Sequence, residues 1–181
     1  MNQCSNIAII GFMGAGKSTV GRLCASMLGM EFVDIDEVVQ RSTGHRIAEV
    51  FAECGEGEFR RLEAAALREV ASSSGAVIAT GGGAILNPDT RATLCARCFC
   101  VWLRVSVAES SRRLAGVSAD RPLWSSVRAE SEARLAAREP LYRLCAHATV
   151  STDGLSAENV ALAVVQLWSK GCGDAGSSAK A

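Results

Sequence analysis

The sequence predicts an α/β protein, a three-layer sandwich whose central short parallel sheet of about five strands is flanked by helices. Three observations carry this prediction. Short apolar runs alternate with helical segments of roughly 10–15 residues along the chain, the pattern that builds parallel sheets. Of the 181 residues, 49% are hydrophobic, enough for a sizeable single core. A glycine-rich loop, Gly11 to Thr19, falls where the first strand should hand over to the first helix.

The elements follow in order. Asn6 to Ile10 reads as a strand. The helix after the loop carries Val20, Leu23, Cys24, Met27 and Leu28 at helical spacing, and Gly29 closes it. Glu31 to Asp34 is a second strand. Helical segments follow at Asp36 to Ser42 and Ile47 to Cys54, with a break at Gly44, before a longer helix carrying Phe59, Leu62, Ala66 and Val70. Ala76 to Ala79 is a strand that ends at Gly81-Gly82-Gly83. Pro88 to Ala96 reads as a helix, Cys98 to Val105 as a strand and Val107 to Leu114 as a helix. A polar stretch, 116–126, is a candidate mobile lid. Ala129 to Arg138 is expected to be a helix that Pro140 ends. Val150 sits in a last strand, and Val160, Ala163, Val164, Leu167 and Trp168 form one face of a final helix. One domain spanning 1–170 is expected, with a disordered small-residue tail over 171–181.

Composition excludes several classes of function. The formal net charge is zero, which argues against a broad nucleic-acid surface. No run approaches the length of a membrane helix, and the first residues lack the basic and apolar regions of a secretion signal, so a cytoplasmic protein is expected. Eight cysteines do not imply a disulfide scaffold in a chain with its own core. Cys95 and Cys98 have C-x-x-C spacing, but no second such pair completes a zinc site, so the cysteines read as buried or incidental thiols. His45 and His147 read as structural or surface residues, and the three tryptophans as packing residues. No exposed apolar stripe demands a partner, so a monomer is expected.

Gly11-Phe12-Met13-Gly14-Ala15-Gly16-Lys17-Ser18-Thr19 matches G-x-x-x-x-G-K-[ST], a phosphate-binding P-loop. Its glycines permit close backbone approach, so the N–H groups of Gly14, Ala15, Gly16 and Thr19 and the following helix N-terminus can surround phosphates. Lys17 can reach the outer phosphates and Ser18 can offer a hydroxyl to Mg²⁺. Lys17 is also the only lysine before Lys170. The loop alone leaves a GTPase, a motor, a kinase and a binding-only module open. No Asn-Lys-x-Asp guanine-reading sequence is present, and the chain is short for most motors. Short P-loop kinases need an arginine-bearing lid, for which 116–126 around Arg121 is the candidate.

Beyond the loop, several motifs occur in a fixed order: Asp34-Ile35-Asp36, Ile47-Ala48-Glu49-Val50-Phe51, Gly55 to Glu63, Gly81-Gly82-Gly83-Ala84, Arg121-Pro122-Leu123 and Arg138-Glu139-Pro140-Leu141-Tyr142. With the P-loop they make the chain, from Ile7 to Leu167, resemble the shikimate kinase family. That resemblance implies a P-loop kinase fold and transfer of the γ-phosphoryl of ATP to the 3-hydroxyl of shikimate, with Mg²⁺. Read by itself, Asp36 could equally cap the following helix or serve as a base. The resemblance implies that it binds the acceptor hydroxyls and accepts a proton, and that Asp34 lies near the metal and acts through water. Arg60 and Arg138 match two carboxylate-gripping arginines, a task suited to the planar guanidinium fork. Glu63 follows Arg60 at i+3 and could hold it. Gly81, Gly82 and Gly83 match a substrate-contacting loop, Arg121 the lid arginine and Arg113 an adenine-stacking residue. The alternatives are another small-molecule P-loop kinase, acting on gluconate or a nucleoside monophosphate, and a non-catalytic nucleotide-binding regulator. The second would be expected to have lost Lys17, Asp36 or Arg121.

Overall fold

The computed structural model describes residues 5–115 and 128–173. Five strands, β1 (Asn6–Gly11), β2 (Glu31–Asp34), β3 (Ala76–Ala79), β4 (Cys98–Arg104) and β5 (Ala148–Ser151), form one sheet in the order β2-β3-β1-β4-β5. Every pairing is parallel. Seven α-helices occur among the described residues: α1 (Lys17–Leu28), α2 (Ile35–Thr43), α3 (Ile47–Val70), α4 (Pro88–Arg97), α5 (Val107–Leu114), α6 (Arg128–Cys145) and α7 (Ala157–Gly173). A short 3-10 turn, Ala84–Leu86, precedes α4.

The strands explain the two cores. All six β1 residues are buried, as expected of a central parallel strand covered on both faces. Side chains alternate across the sheet. Ala8 and Ile10 therefore join Ile78, Cys98, Cys100 and Trp102 in one core, beneath α3 and α6. Ile7 and Ile9 join Val77, Val101 and Leu103 in the other, under α1 and α7. The expected final-helix face lies here, with Val160 and Val164 buried and Ala163, Leu167 and Trp168 packed against them.

Asn6 ties the lower end of the sheet. Its amide donates to the carbonyl of Ser73 at 2.6 Å and accepts from the Ala76 N–H at 3.0 Å, while the side chain is almost wholly buried.

Three expectations change. Pro140 does not end α6, which runs on to Cys145. Proline costs the helix one N–H donor, but the residues beyond it are anchored by burial: Tyr142 is fully buried and stacks on Trp102 with ring centroids 5.7 Å apart. The break expected after Cys54 is present: Gly55, at φ 77° and ψ 171°, is non-helical and divides α3 into two helical stretches. Met27 is exposed, because α1 turns Val20, Gly21, Cys24 and Ala25 inward instead. At the C-terminal end, α7 reaches Gly173, so its last turn covers the first three residues assigned to the tail. The rest of the tail and the lid stretch lie outside the described residues.

Because the Asn6 amide pairs the buried Ala76 N–H and is itself buried, Asn6→Ala leaves that donor unpaired and opens a void in its place. A loss of about 2–3 kcal/mol is expected, read as a melting-temperature drop of roughly 5–10 °C. An unchanged melting temperature would show that water replaces the amide.

Candidate functional site

The carboxyl ends of β1, β2 and β3 converge, and the predicted residues sit where they end. β1 runs into the P-loop. Gly14 and Gly16 adopt φ of 71° and 88°, left-handed conformations that suit glycine. Gly16 is the N-cap of α1, so the loop amides and the positive end of that helix face the same space. The loop is held from behind by Ser110 of α5, whose buried hydroxyl donates to the Met13 carbonyl at 2.8 Å. Lys17 folds back along the loop and donates to the Phe12 carbonyl at 2.9 Å. Ser18 donates to Asp34 at 2.6 Å.

Asp34 does two things at the end of β2. Oδ2 takes the Ser18 hydroxyl, while Oδ1 accepts the Asp36 N–H at 3.1 Å and caps α2. The capping role considered for Asp36 thus belongs to Asp34, and the Asp36 side chain is left to face the cleft.

A cleft of about 320 Å³ gathers Gly14, Gly16, Lys17, Ser18, Thr19, Asp34, Asp36, Gly81, Gly82 and Arg113. A second cleft, of about 480 Å³, is lined by Ala15, Gly16, Thr19, Arg113 and the segment Thr152 to Val160. The two meet at Gly16, Thr19 and Arg113. Arg113 is pinned at that junction. It donates to the Gly14 carbonyl at 3.2 Å, to the Thr152 carbonyl at 2.7 Å and to Glu109 at 2.7 Å. Hydrogen bonds from Arg112 and then Arg113 hold the Glu109 carboxyl down at about 2.

Gly83 lies just outside the first cleft but in the same turn, and Arg60 and Arg138 reach that turn from behind. Arg60, on α3, donates to Glu63 at 2.7 Å and to Glu56 at 3.1 Å, which is the i+3 bracing expected of Glu63 together with an i+4 partner. A Cβ on Gly83 would overlap the Arg60 guanidinium, and one on Gly81 would overlap Glu63 Oε1. Arg138, on α6, is 5% exposed and donates to the Gly82 carbonyl at 3.3 Å. Burial lowers its pKa without removing its charge.

Tyr142 is a site residue that residue-by-residue reading missed. Its hydroxyl donates to the same Gly82 carbonyl at 2.5 Å, and burial raises its pKa. The available signal was its spacing, one helical turn after Arg138. Glu63 carries more than bracing. It is 1% exposed, and its Oε1 has no hydrogen-bond partner among the described residues. Burial pushes its carboxyl up to about 7 against the opposing pull of Arg60, and nearby Asp36 adds to the rise. Arg121 lies outside the described residues. Among those described, no group of three or more His, Cys, Asp or Glu side chains could hold a metal.

A P-loop at the end of a central parallel strand, with a hydroxyl–carboxylate pair beside its lysine and one buried and one partly buried arginine around a facing glycine turn, defines a P-loop small-molecule kinase. The chain belongs to the shikimate kinase family, whose model matches residues 13–168. A shikimate kinase from Xanthomonas euvesicatoria pv. vesicatoria is 42% identical over 170 residues, covering 92% of this chain and 94% of the relative. The structure of shikimate kinase from Acinetobacter baumannii in complex with shikimate superposes with a TM-score of 0.86 at 38% identity, covering 92% of this chain and 93% of that one. The Aquifex aeolicus shikimate kinase superposes at 0.81 with 30% identity, covering 92% and 97%. A gluconokinase from Sinorhizobium meliloti, at 16% identity and TM-score 0.65, shares the fold alone. The chain is therefore an ATP-dependent phosphotransferase of this family.

The Glu63 environment has a stability consequence. Its folded pKa lies above the ordinary value of 4.5, so the folded protein binds that proton more tightly than the unfolded chain. The associated stability is full below about pH 4.5 and is lost as pH rises to about 7, by up to about 3 kcal/mol. Glu63→Gln should flatten this part of the stability–pH curve relative to the parent, measured by denaturant unfolding from pH 4.5 to 8. Parallel curves for the two proteins would contradict it.

Proposed function

We propose that this chain transfers the γ-phosphoryl group of ATP to the 3-hydroxyl of shikimate, giving shikimate 3-phosphate and ADP on the route to chorismate and the aromatic amino acids. The observation that carries this reading is a single cleft that joins Lys17 and Ser18 to Asp36, Gly81 and Gly82. Donor and acceptor groups share one space there, as direct transfer requires. The Acinetobacter relative, with shikimate bound, supports the choice of acceptor.

On the donor side, the amides of Gly14, Ala15, Gly16 and Thr19 and the start of α1 bind the phosphates. Lys17 leaves the Phe12 carbonyl for the outer phosphates and offsets the charge of the transferring group. The second cleft receives the base and sugar, with Arg113 at the passage between phosphates and base. Ser18 and Asp34 suit a hard cation, since both offer oxygen at one place. Ser18 would hold Mg²⁺ directly and Asp34 through water, and the ion supplies charge neutralisation of the phosphates when bound.

On the acceptor side, Asp36 orients the attacking hydroxyl and takes its proton. Arg60 and Arg138 grip the shikimate carboxylate, and the backbone of Gly81, Gly82 and Gly83 allows the ring to approach closely. Arg138 enters this role already desolvated, which strengthens its pull on an anion. Arg121 closes over the phosphates in this reading, on the strength of its motif.

The test is ADP release by the purified protein with ATP and Mg²⁺ against shikimate, quinate and gluconate. Turnover with shikimate alone is expected, and silence with shikimate sinks the proposal. Arg138→Ala should raise the KM for shikimate about 10- to 150-fold, the range of one lost charge-assisted contact, with the KM for ATP near the parent's. Equal weakening of both substrates would count against a carboxylate role. Arg60→Ala should behave alike but also lower stability, since it strips buried Glu63 of its ion-pair partner. Asp36→Asn should cut kcat by about 10²–10⁴-fold while ATP still binds in calorimetry. A near-normal kcat would remove Asp36 from the proton transfer.

A further inference from the structure

α5 grips the phosphate loop from behind. Ser110 and Arg113 stand three residues apart on α5, so their side chains leave one face of that helix. Each donates to a carbonyl of the loop. The Ser110 hydroxyl donates to the Met13 carbonyl at 2.8 Å, and Arg113 Nη1 donates to the Gly14 carbonyl at 3.2 Å. A carbonyl only accepts, so the Ser110 hydrogen is committed to this bond. Ser110 is 1% exposed, and the bond is buried with it.

The two carbonyls belong to the two peptides that flank the Gly14 α-carbon. Holding both peptides fixes φ and ψ at a glycine, the residue type with the most backbone freedom to lose. Gly14 sits at φ 71°. A Cβ there would come within 3.0 Å of both Ser110 Oγ and the Ser110 carbonyl oxygen, so the loop lies directly on α5. In a planar trans peptide the N–H points opposite to the C=O. The Met13 carbonyl is turned back to Ser110. The Gly14 N–H of the same peptide therefore points away from α5, toward the cleft that Gly14 lines with Lys17 and Ser18. The next amide is differently engaged, since the Ala15 N–H donates to the Phe12 carbonyl at 3.2 Å.

We propose that Ser110 is a positioning residue for ATP, whose hydroxyl locks the Met13–Gly14 peptide so that the Gly14 N–H faces the phosphates. The role rests on the phosphate-binding reading of the loop. Without the hydroxyl, that peptide can rotate about the single bonds on either side of it and turn its carbonyl toward the cleft. A carbonyl oxygen there repels the phosphate that the N–H would bind. The bond also polarises the peptide, because a donor on its carbonyl makes its N–H a stronger donor. Ser110 acts through Gly14 and not on the nucleotide itself. Arg113 fixes the second peptide in the same way, but it also bonds Thr152 and Glu109, so Ser110 isolates the effect.

Calorimetry on the full-length protein compares the parent, Ser110→Ala and Ser110→Cys with two ligands, ADP and inorganic tripolyphosphate. Tripolyphosphate carries phosphates and no base, so it reads the loop alone. In Ser110→Ala the Kd for ADP and the Kd for tripolyphosphate should rise by a common factor of roughly 5- to 50-fold, up to the loss of one charge-assisted contact. The KM for ATP should follow, while the KM for shikimate stays within about twofold of the parent's. Ser110→Cys keeps a weak donor in nearly the same shape and should fall between the two. Weaker ADP with unchanged tripolyphosphate would put the loss in the base cleft and overturn the proposal. Parent-like affinity for both ligands, or an equal rise in the KM for shikimate, would overturn it too. If the alanine variant does not fold, the cysteine variant decides, and its binding both ligands like the parent would be the overturning result. A parent that binds no ADP would sink the nucleotide reading and this proposal with it. A parent that binds ADP, with variants that bind it equally, would sink this proposal alone.

Discussion

The acceptor half of this molecule depends on how closely one glycine turn can approach charged side chains. Gly81 lies against the Glu63 carboxylate and Gly83 against the Arg60 guanidinium, at separations no Cβ could share. That approach lets the backbone shield an ion pair from water. Shielding has a cost, seen in the raised pKa of Glu63, and it is offset only because Arg60 is bonded to both Glu56 and Glu63. The same turn presents its Gly82 carbonyl to Arg138 and Tyr142. Four charged or polar side chains from α3 and α6 are thus positioned by three residues without side chains.

The sheet order does the rest. Placing β1 between β3 and β4 sets the P-loop beside the glycine turn that follows β3. β2, paired with β3, delivers Asp34 and Asp36 to the same edge of the cleft. Ligands of open α/β sheets bind at these carboxyl ends because helix N-termini and unpaired loop amides gather there. Parallel strands and short loops bring together residues 65 positions apart, such as Lys17 and Gly82, without a dedicated connection.

Much of this was legible from local pattern. The strands at Glu31 to Asp34 and Ala76 to Ala79 and the helix at Val107 to Leu114 have the predicted bounds, because each is bracketed by turn or cap residues that end it locally. The expectations that changed share one cause. The readings of Pro140 and Met27 rest on local preference, and packing overrides each, whereas the break at Gly55 stands where local preference puts it. Tyr142 is buried deeply enough to carry α6 past its proline, and α1 turns small residues rather than Met27 toward the core. Tyr142 itself escaped notice as a site residue, since a buried tyrosine after an arginine looks like any core aromatic.

By itself the sequence determined the fold class, the phosphate loop and the residue types around the acceptor, because these rest on short-range spacing and on backbone freedom that glycine alone supplies. Asp36 stayed ambiguous between cap and cleft until the tertiary structure put Asp34 in the capping position. Only that structure decided that Glu63 is desolvated and that Arg138 and Tyr142 share one carbonyl. Each of those is a contact between elements distant in the chain. Distance in sequence hides such contacts, and burial, which sets their strength, exists only once the helices pack on the sheet.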